Sequence, residues 1–107
     1  MSKVFFDKYI SVKKLEKYIS LVATSLEEKE ELWQLVDEIL HHRILHCMLD
    51  ELPKKHHKKF LLKLYDAPHD ENILQFLQQK ISKDIKSFIE LEVESIEHEI
   101  LKDLQKK

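Results

Sequence analysis

His42 and His46 stand one helical turn apart, and a second pair, His56 and His57, follows just beyond Pro53. An i, i+4 spacing sets two imidazoles side by side on a helix, close enough to share one metal ion. A corner at Pro53 would fold the second pair back toward the first and supply a third nitrogen. Glu38, Asp50 or a glutamate of the C-terminal region would complete the set for a transition metal. The competing reading is structural, with each imidazole at the edge of a core and bonded to a carbonyl or carboxylate. His42 and His46 extend the line Leu35, Ile39, His42, His46 and Leu49, which points them inward under either reading. The neighbouring lysines place positive charge where a cation would sit, so no cofactor is expected and the metal is the alternative. Glu38 precedes His41 by three residues, but no second Glu-x-x-His pairs with it and no HExxH occurs.

Lys54, Lys55, Lys58 and Lys59 surround the second histidine pair. Such a patch could hold phosphate, RNA or an acidic protein surface. Stacking aromatics are sparse beside it and no RNA-binding motif is present, so nucleic acid is not the expected partner. The chain carries its own acidic counterparts, Glu27 to Glu31 and Glu90 to Glu99, which could pair with the lysines between helices or between subunits. Cys47 lies in an apolar stretch and reads as a small core hydrophobe rather than a nucleophile. Without glycine the chain has no phosphate-cradling loop and no nucleophile elbow, and it is not expected to be an enzyme.

The elements that must position these residues follow from what the chain lacks. It has no glycine in 107 residues and only two prolines, which disfavours hairpins and tight turns. Apolar residues instead recur at helical spacing, predicting an all-α bundle of about five helices in a single domain, 1–107. Residues 1–10 form an aromatic arm that could dock on that core. Ser11 is placed to cap a first helix carrying Val12, Leu15, Ile19 and Val22. Ser25 and Glu28 fit a capping box at the start of a long central helix over 26–52. Pro53 suits the first turn of a third helix ending near residue 66, and Ala67 to Asp70 reads as a turn. A fourth helix runs to about Ile81, and a long C-terminal helix aligns Ile85, Ile89, Val93, Ile96, Ile100 and Leu104.

Hydrophobic residues make up 43% of the chain, enough for one core, and charged residues 36%, in keeping with solvated helix faces. The net charge of −2 argues against nucleic acid or anionic lipid as the partner of the chain as a whole. A single cysteine, no signal-peptide core and no membrane-length apolar run predict a cytoplasmic protein without a membrane partner.

Rods of these lengths exceed a globule whose radius of gyration would be about 13 Å. Such helices must bend or elongate the molecule, and elongation would bare apolar surface to a partner. The expected function is therefore a helical protein–protein interaction module, either a homo-oligomer or a subunit of a larger assembly. Its expected interface is Phe5, Phe6 and Trp33 with the stripe Ile89, Val93, Ile96, Ile100 and Leu104.

The run DEILHHRILHCMLDELPKKHH, then FLLKL and PHDENILQFLQQKI, resembles a family of short all-helical bacterial proteins of unknown function. The resemblance covers roughly residues 5–105 through the paired histidines, the Leu-Pro corner and the turn before the fourth helix. It implies an all-helical fold and brings no activity, substrate or site residue with it.

Overall fold

Helices in this chain have to stop without glycine. In the computed structural model, which describes residues 4–105, no backbone φ is positive. Instead of a left-handed cap, the chain leaves its helices through extended residues: Ala23 (ψ 130°), Leu52 (ψ 129°) and Ile81 (ψ 136°). Each still donates its N–H to the carbonyl four residues back. At Leu52 the cause is local, because the Pro53 ring excludes the helical conformation from the preceding residue.

The described residues form five helices: α1 (Lys13–Val22), α2 (Leu26–Glu51), α3 (His57–Asp66), α4 (Asn72–Lys80) and α5 (Ile85–Gln105). Short 3-10 turns occupy Asp7–Tyr9 and Lys54–His56, and there is no strand among the described residues. The third helix thus begins four residues later than Pro53 suggested, because the proline keeps an extended ψ of 140° and leads into the 3-10 turn. The expected cap at Ser25 is present, with its hydroxyl accepting the Glu28 N–H at 3.1 Å. The expected cap at Ser11 is not: Val12 holds the N-cap position of α1 and has no side-chain acceptor to offer.

α1, α2 and α5 pack together along their lengths. Ion pairs Arg43–Glu99 and Lys83–Glu51 set α5 antiparallel to α2. Leu15 meets Glu97 and Tyr18 meets the Leu104 carbonyl, which sets α1 parallel to α5. α3 and α4 fold against each other beyond the C-terminal end of α2. The core rows are Leu15 and Ile19 from α1, Val36, Leu40, Ile44 and Met48 from α2, and Ile89, Val93 and Ile96 from α5. Phe60, Ile73 and Leu77 extend it under α3 and α4. At 1.5 Å per residue α2 is about 39 Å long and α5 about 31 Å. The molecule stretches accordingly, with extents of 46 × 24 × 19 Å and a radius of gyration of 15.1 Å. No helix among the described residues is long and apolar enough to cross a membrane.

Candidate functional site

The histidines do not assemble. α2 buries the row Val36, Leu40, Ile44 and Met48, so His42 and His46 turn outward and are exposed, as is Leu35. His46 Nδ1 lies 3.5 Å from Asp50 Oδ2. His57 Nε2 sits 2.7 Å from the Leu52 carbonyl oxygen, a contact that requires the proton on Nε2 and ties off the end of α2. His56 meets the Phe76 ring edge-on at 6.3 Å. His46, His56 and His57 therefore have separate partners, and His42 faces solvent. No group of three or more His, Cys, Asp or Glu among the described residues is arranged to hold a metal ion. His41, outside the expected ligand set, is half-buried, with Nε2 3.0 Å from Asp7 Oδ1 and 3.8 Å from Asp37 Oδ1. The i, i+4 spacing of Asp37 and His41 is the signal in the sequence for this contact.

Most of the expected interface is core. Phe5 and Phe6 are buried, packed edge-to-face at 5.1 Å, and Phe5 stacks likewise on Phe60 at 6.2 Å. The arm is fastened by the Phe5 N–H to the Pro68 carbonyl at 2.7 Å and by Asp7 to His41. Ile89, Val93, Ile96 and Ile100 are buried as well, and Leu104 is half-buried. These side chains are covered because α1 and α2 close over the inner stripe of α5, so elongation did not leave that stripe open. Trp33 is half-buried and lines a hollow of about 730 Å³ with Leu26, Lys29, Asp37 and His41.

Exposed apolar surface lies elsewhere on the same helices. Leu91 of α5 is 66% exposed, and Leu21 and Val22 of α1 are 77% and 46% exposed. Three adjoining hollows of about 460, 360 and 270 Å³ run along the junction of α1 and α5, and Lys14 lines all three. The first holds Tyr18, Leu21, Val22 and Leu101, and the second holds Leu91, His98 and Leu101. The third holds Tyr9, Glu90 and Glu94. Together they make one furrow with lysines (Lys14, Lys17) on the α1 rim and glutamates (Glu90, Glu94) on the α5 rim. None of these four charges belongs to an ion pair among the described residues.

The floor of the furrow is held by Glu97, a buried carboxylate whose Oε2 accepts the Leu15 N–H at 3.2 Å. Leu15 is the third residue of α1, so a side chain of α5 caps the helix that Val12 leaves uncapped. This contact joins residues 82 apart in the chain, and no local pattern announces it.

Two further groups have settled surroundings. The Cys47 Sγ–H donates to Glu92 Oε2 at 3.3 Å, and burial together with that carboxylate pushes the thiol up to about 11. A thiol so placed is a poor nucleophile at neutral pH. Lys54, Lys55, Lys58 and Lys59 are all exposed at the opposite end of α2 from its acidic start. Compared with models of known protein families, with curated proteins and with solved structures, the chain matches none, so the surfaces are read from their own chemistry.

Proposed function

We propose that this chain is a non-enzymatic helical interaction module that pairs with a second copy of itself through the α1/α5 furrow. The observation that carries the reading is the furrow's composition: exposed leucines along its length, cations on one rim and anions on the other. A two-fold axis running along the helices sets α1 of one copy opposite α5 of the other, so the lysine rim meets the glutamate rim twice. A two-fold axis across the helices would oppose lysine to lysine, which charge repulsion disfavours. Leu91, Leu101, Leu21 and Val22 then lie at the centre, shielded by the paired rims, in the usual arrangement of an apolar interface core. A reducing compartment such as the cytoplasm suits the lone thiol of Cys47.

Size-exclusion chromatography with light scattering tests the pairing. At high micromolar concentration the expected mass is twice the 12.9 kDa of one chain. Leu91→Glu and, separately, Leu21→Glu bring it to one chain with unchanged helical circular dichroism, since both side chains are exposed in the single chain. A wild-type protein that stays at one chain mass under these conditions overturns the reading.

A further inference from the structure

We propose that the outer ridge of α3 seats the protein on the surface of an anionic lipid bilayer. Lys58, Leu61, Leu62 and Tyr65 follow i, i+3, i+4, i+7 and so share one face of the helix. The three apolar members are open to solvent at 47%, 56% and 87%. On the flank of this ridge Lys59 and Lys63 hold their ammonium groups 5.9 and 5.5 Å from the centre of the Phe76 ring. Lys55 and Lys80 converge on the same place. His56, at the edge of that ring, holds its proton less tightly than usual, through desolvation first and then Lys80, Lys55 and Lys59.

None of Lys54, Lys55, Lys58, Lys59, Lys63 and Lys80 is in an ion pair among the described residues, and Asp66, the last residue of α3, is the one acid from position 52 to 69. The acids that bring the chain to −2 lie mostly along the first half of α2 and on α5. Net charge is therefore a poor guide to this end of the molecule, which presents a local positive field. The −2 of the whole chain averages over that separation.

The apolar residues choose among anionic partners. A phosphate backbone would use the lysines and leave Leu61, Leu62 and Tyr65 idle. An amphipathic protein helix would need a groove to receive it, and the four hollows described above are lined by α1, α2, α5 and the N-terminal arm rather than α3. A convex ridge of leucine and tyrosine bordered by lysines fits a fluid surface instead, with the rings and methyls at the headgroup boundary and the ammonium groups among the anionic heads. At ten residues, α3 would lie in the plane of that surface over about 15 Å.

Co-sedimentation of the full chain with vesicles tests this. Vesicles of seven parts phosphatidylcholine to three parts phosphatidylserine are expected to carry the protein down at low salt, and pure phosphatidylcholine vesicles are not. Each lysine contact is expected to change the partition about fivefold, so Lys58→Gln with Lys59→Gln lowers it roughly twenty-five-fold. Leu62→Ser with Tyr65→Ser lowers it as well, without altering helicity, and added salt releases the protein. The proposal is overturned if the phosphatidylserine vesicles carry no more protein than the neutral ones, or if the Leu62/Tyr65 variant binds them like the wild type. Binding to heparin or RNA by both proteins alike, with none to vesicles, assigns the lysines to a soluble polyanion and equally overturns it. Lys58→Gln and Lys59→Gln leave self-pairing intact, so the partition they remove is told apart from any lost with the dimer.

Discussion

Glu97 is the residue whose removal tests the physical account of this fold most directly. Its carboxylate accepts the N–H of Leu15 across the α1/α5 junction, and both residues are buried. Glu97→Ala takes the acceptor away from that N–H at the floor of the furrow. A hydrogen bond to a charged group contributes about 1.5–3 kcal/mol, and an orphaned buried donor costs a similar amount, so the expected loss is about 2–3 kcal/mol. Glu97→Gln keeps an oxygen at the same reach and gives up only the favourable charge at the helix N-terminus, worth about 0.3–1 kcal/mol. For a domain of this size the two changes correspond to falls in Tm of roughly 8–12 °C and 1–4 °C. Thermal unfolding followed by circular dichroism reads both, and amide exchange at Leu15 reads the local event. An alanine variant within about 0.5 kcal/mol of wild type would refute the reasoning, because surface substitutions are that mild and this one is not at the surface. Equal losses for alanine and glutamine would assign the effect to the carboxylate's charge, which both remove, rather than to the hydrogen bond or the volume, which glutamine keeps.

Other outcomes follow from the same geometry. Cys47, with its thiol held up to about 11, is expected to react with iodoacetamide at pH 8 roughly a hundredfold more slowly than in the unfolded chain, and Glu92→Gln speeds it. The folded thiol binds its proton more tightly than the unfolded one. Its contribution to stability is thus whole below the ordinary value of 9.0 and disappears as pH rises through about 11. Glu99 has the opposite sign: the Arg43 guanidinium holds its carboxyl below the usual range, so the pair supports folding above that range and ceases to as pH falls through the depressed value. Carbon-detected NMR titration should show Glu99 returning to an ordinary value in Arg43→Ala. Asp7→Ala removes the acceptor of both the Val4 N–H and the His41 ring, and is expected to cost about 1–2 kcal/mol in urea unfolding. Lys80→Ala is expected to raise the midpoint of His56 in a proton NMR titration, because it removes the strongest repulsion among the lysines around that ring.

Much of the architecture was legible because it depends on local rules. Ser25 with Glu28 marks a helix start wherever it stands before an apolar run, and Pro53 forces the residue before it out of the helix. The period of Ile85, Ile89, Val93, Ile96 and Ile100 names one face of one helix, and that face is buried. The orientation of α2 was not legible for a related reason. Leu35, Val36, Ile39, Leu40, Ile44 and Leu45 spread around the helix, so periodicity does not choose between the row of Val36 and the row of Leu35, and a rotation of one residue turned His42 and His46 outward. Phe5 and Phe6 looked available because nothing in a ten-residue arm says where it folds back. Leu91 stands between Glu90 and Glu92, with Glu94, Ser95 and His98 next along its face, which is how an outward apolar residue looks in a sequence. It becomes part of a surface only when α1 brings Leu21, Val22 and Tyr18 alongside α5.

The two proposed surfaces meet in one consequence. Pairing about an axis along the helices keeps both copies pointing the same way, so the lysine-rich ends of a dimer lie at the same end of the assembly. Two α3 ridges then face one bilayer, and the second contact forms at the high effective concentration set by the first. Leu91→Glu lies far from α3 in the chain and touches none of its lysines, yet it should lower partition onto phosphatidylserine vesicles by at least about tenfold, through loss of the second ridge alone. Diluting the wild type below its pairing concentration should produce the same fall, while Lys58→Gln with Lys59→Gln should weaken partition and leave the doubled mass intact. If Leu91→Glu gives a single chain that partitions like the wild-type dimer, the two ridges do not reach one surface together. In that case the copies pair with their basic ends apart, and the charge argument that chose the axis is wrong even though the furrow itself is the interface.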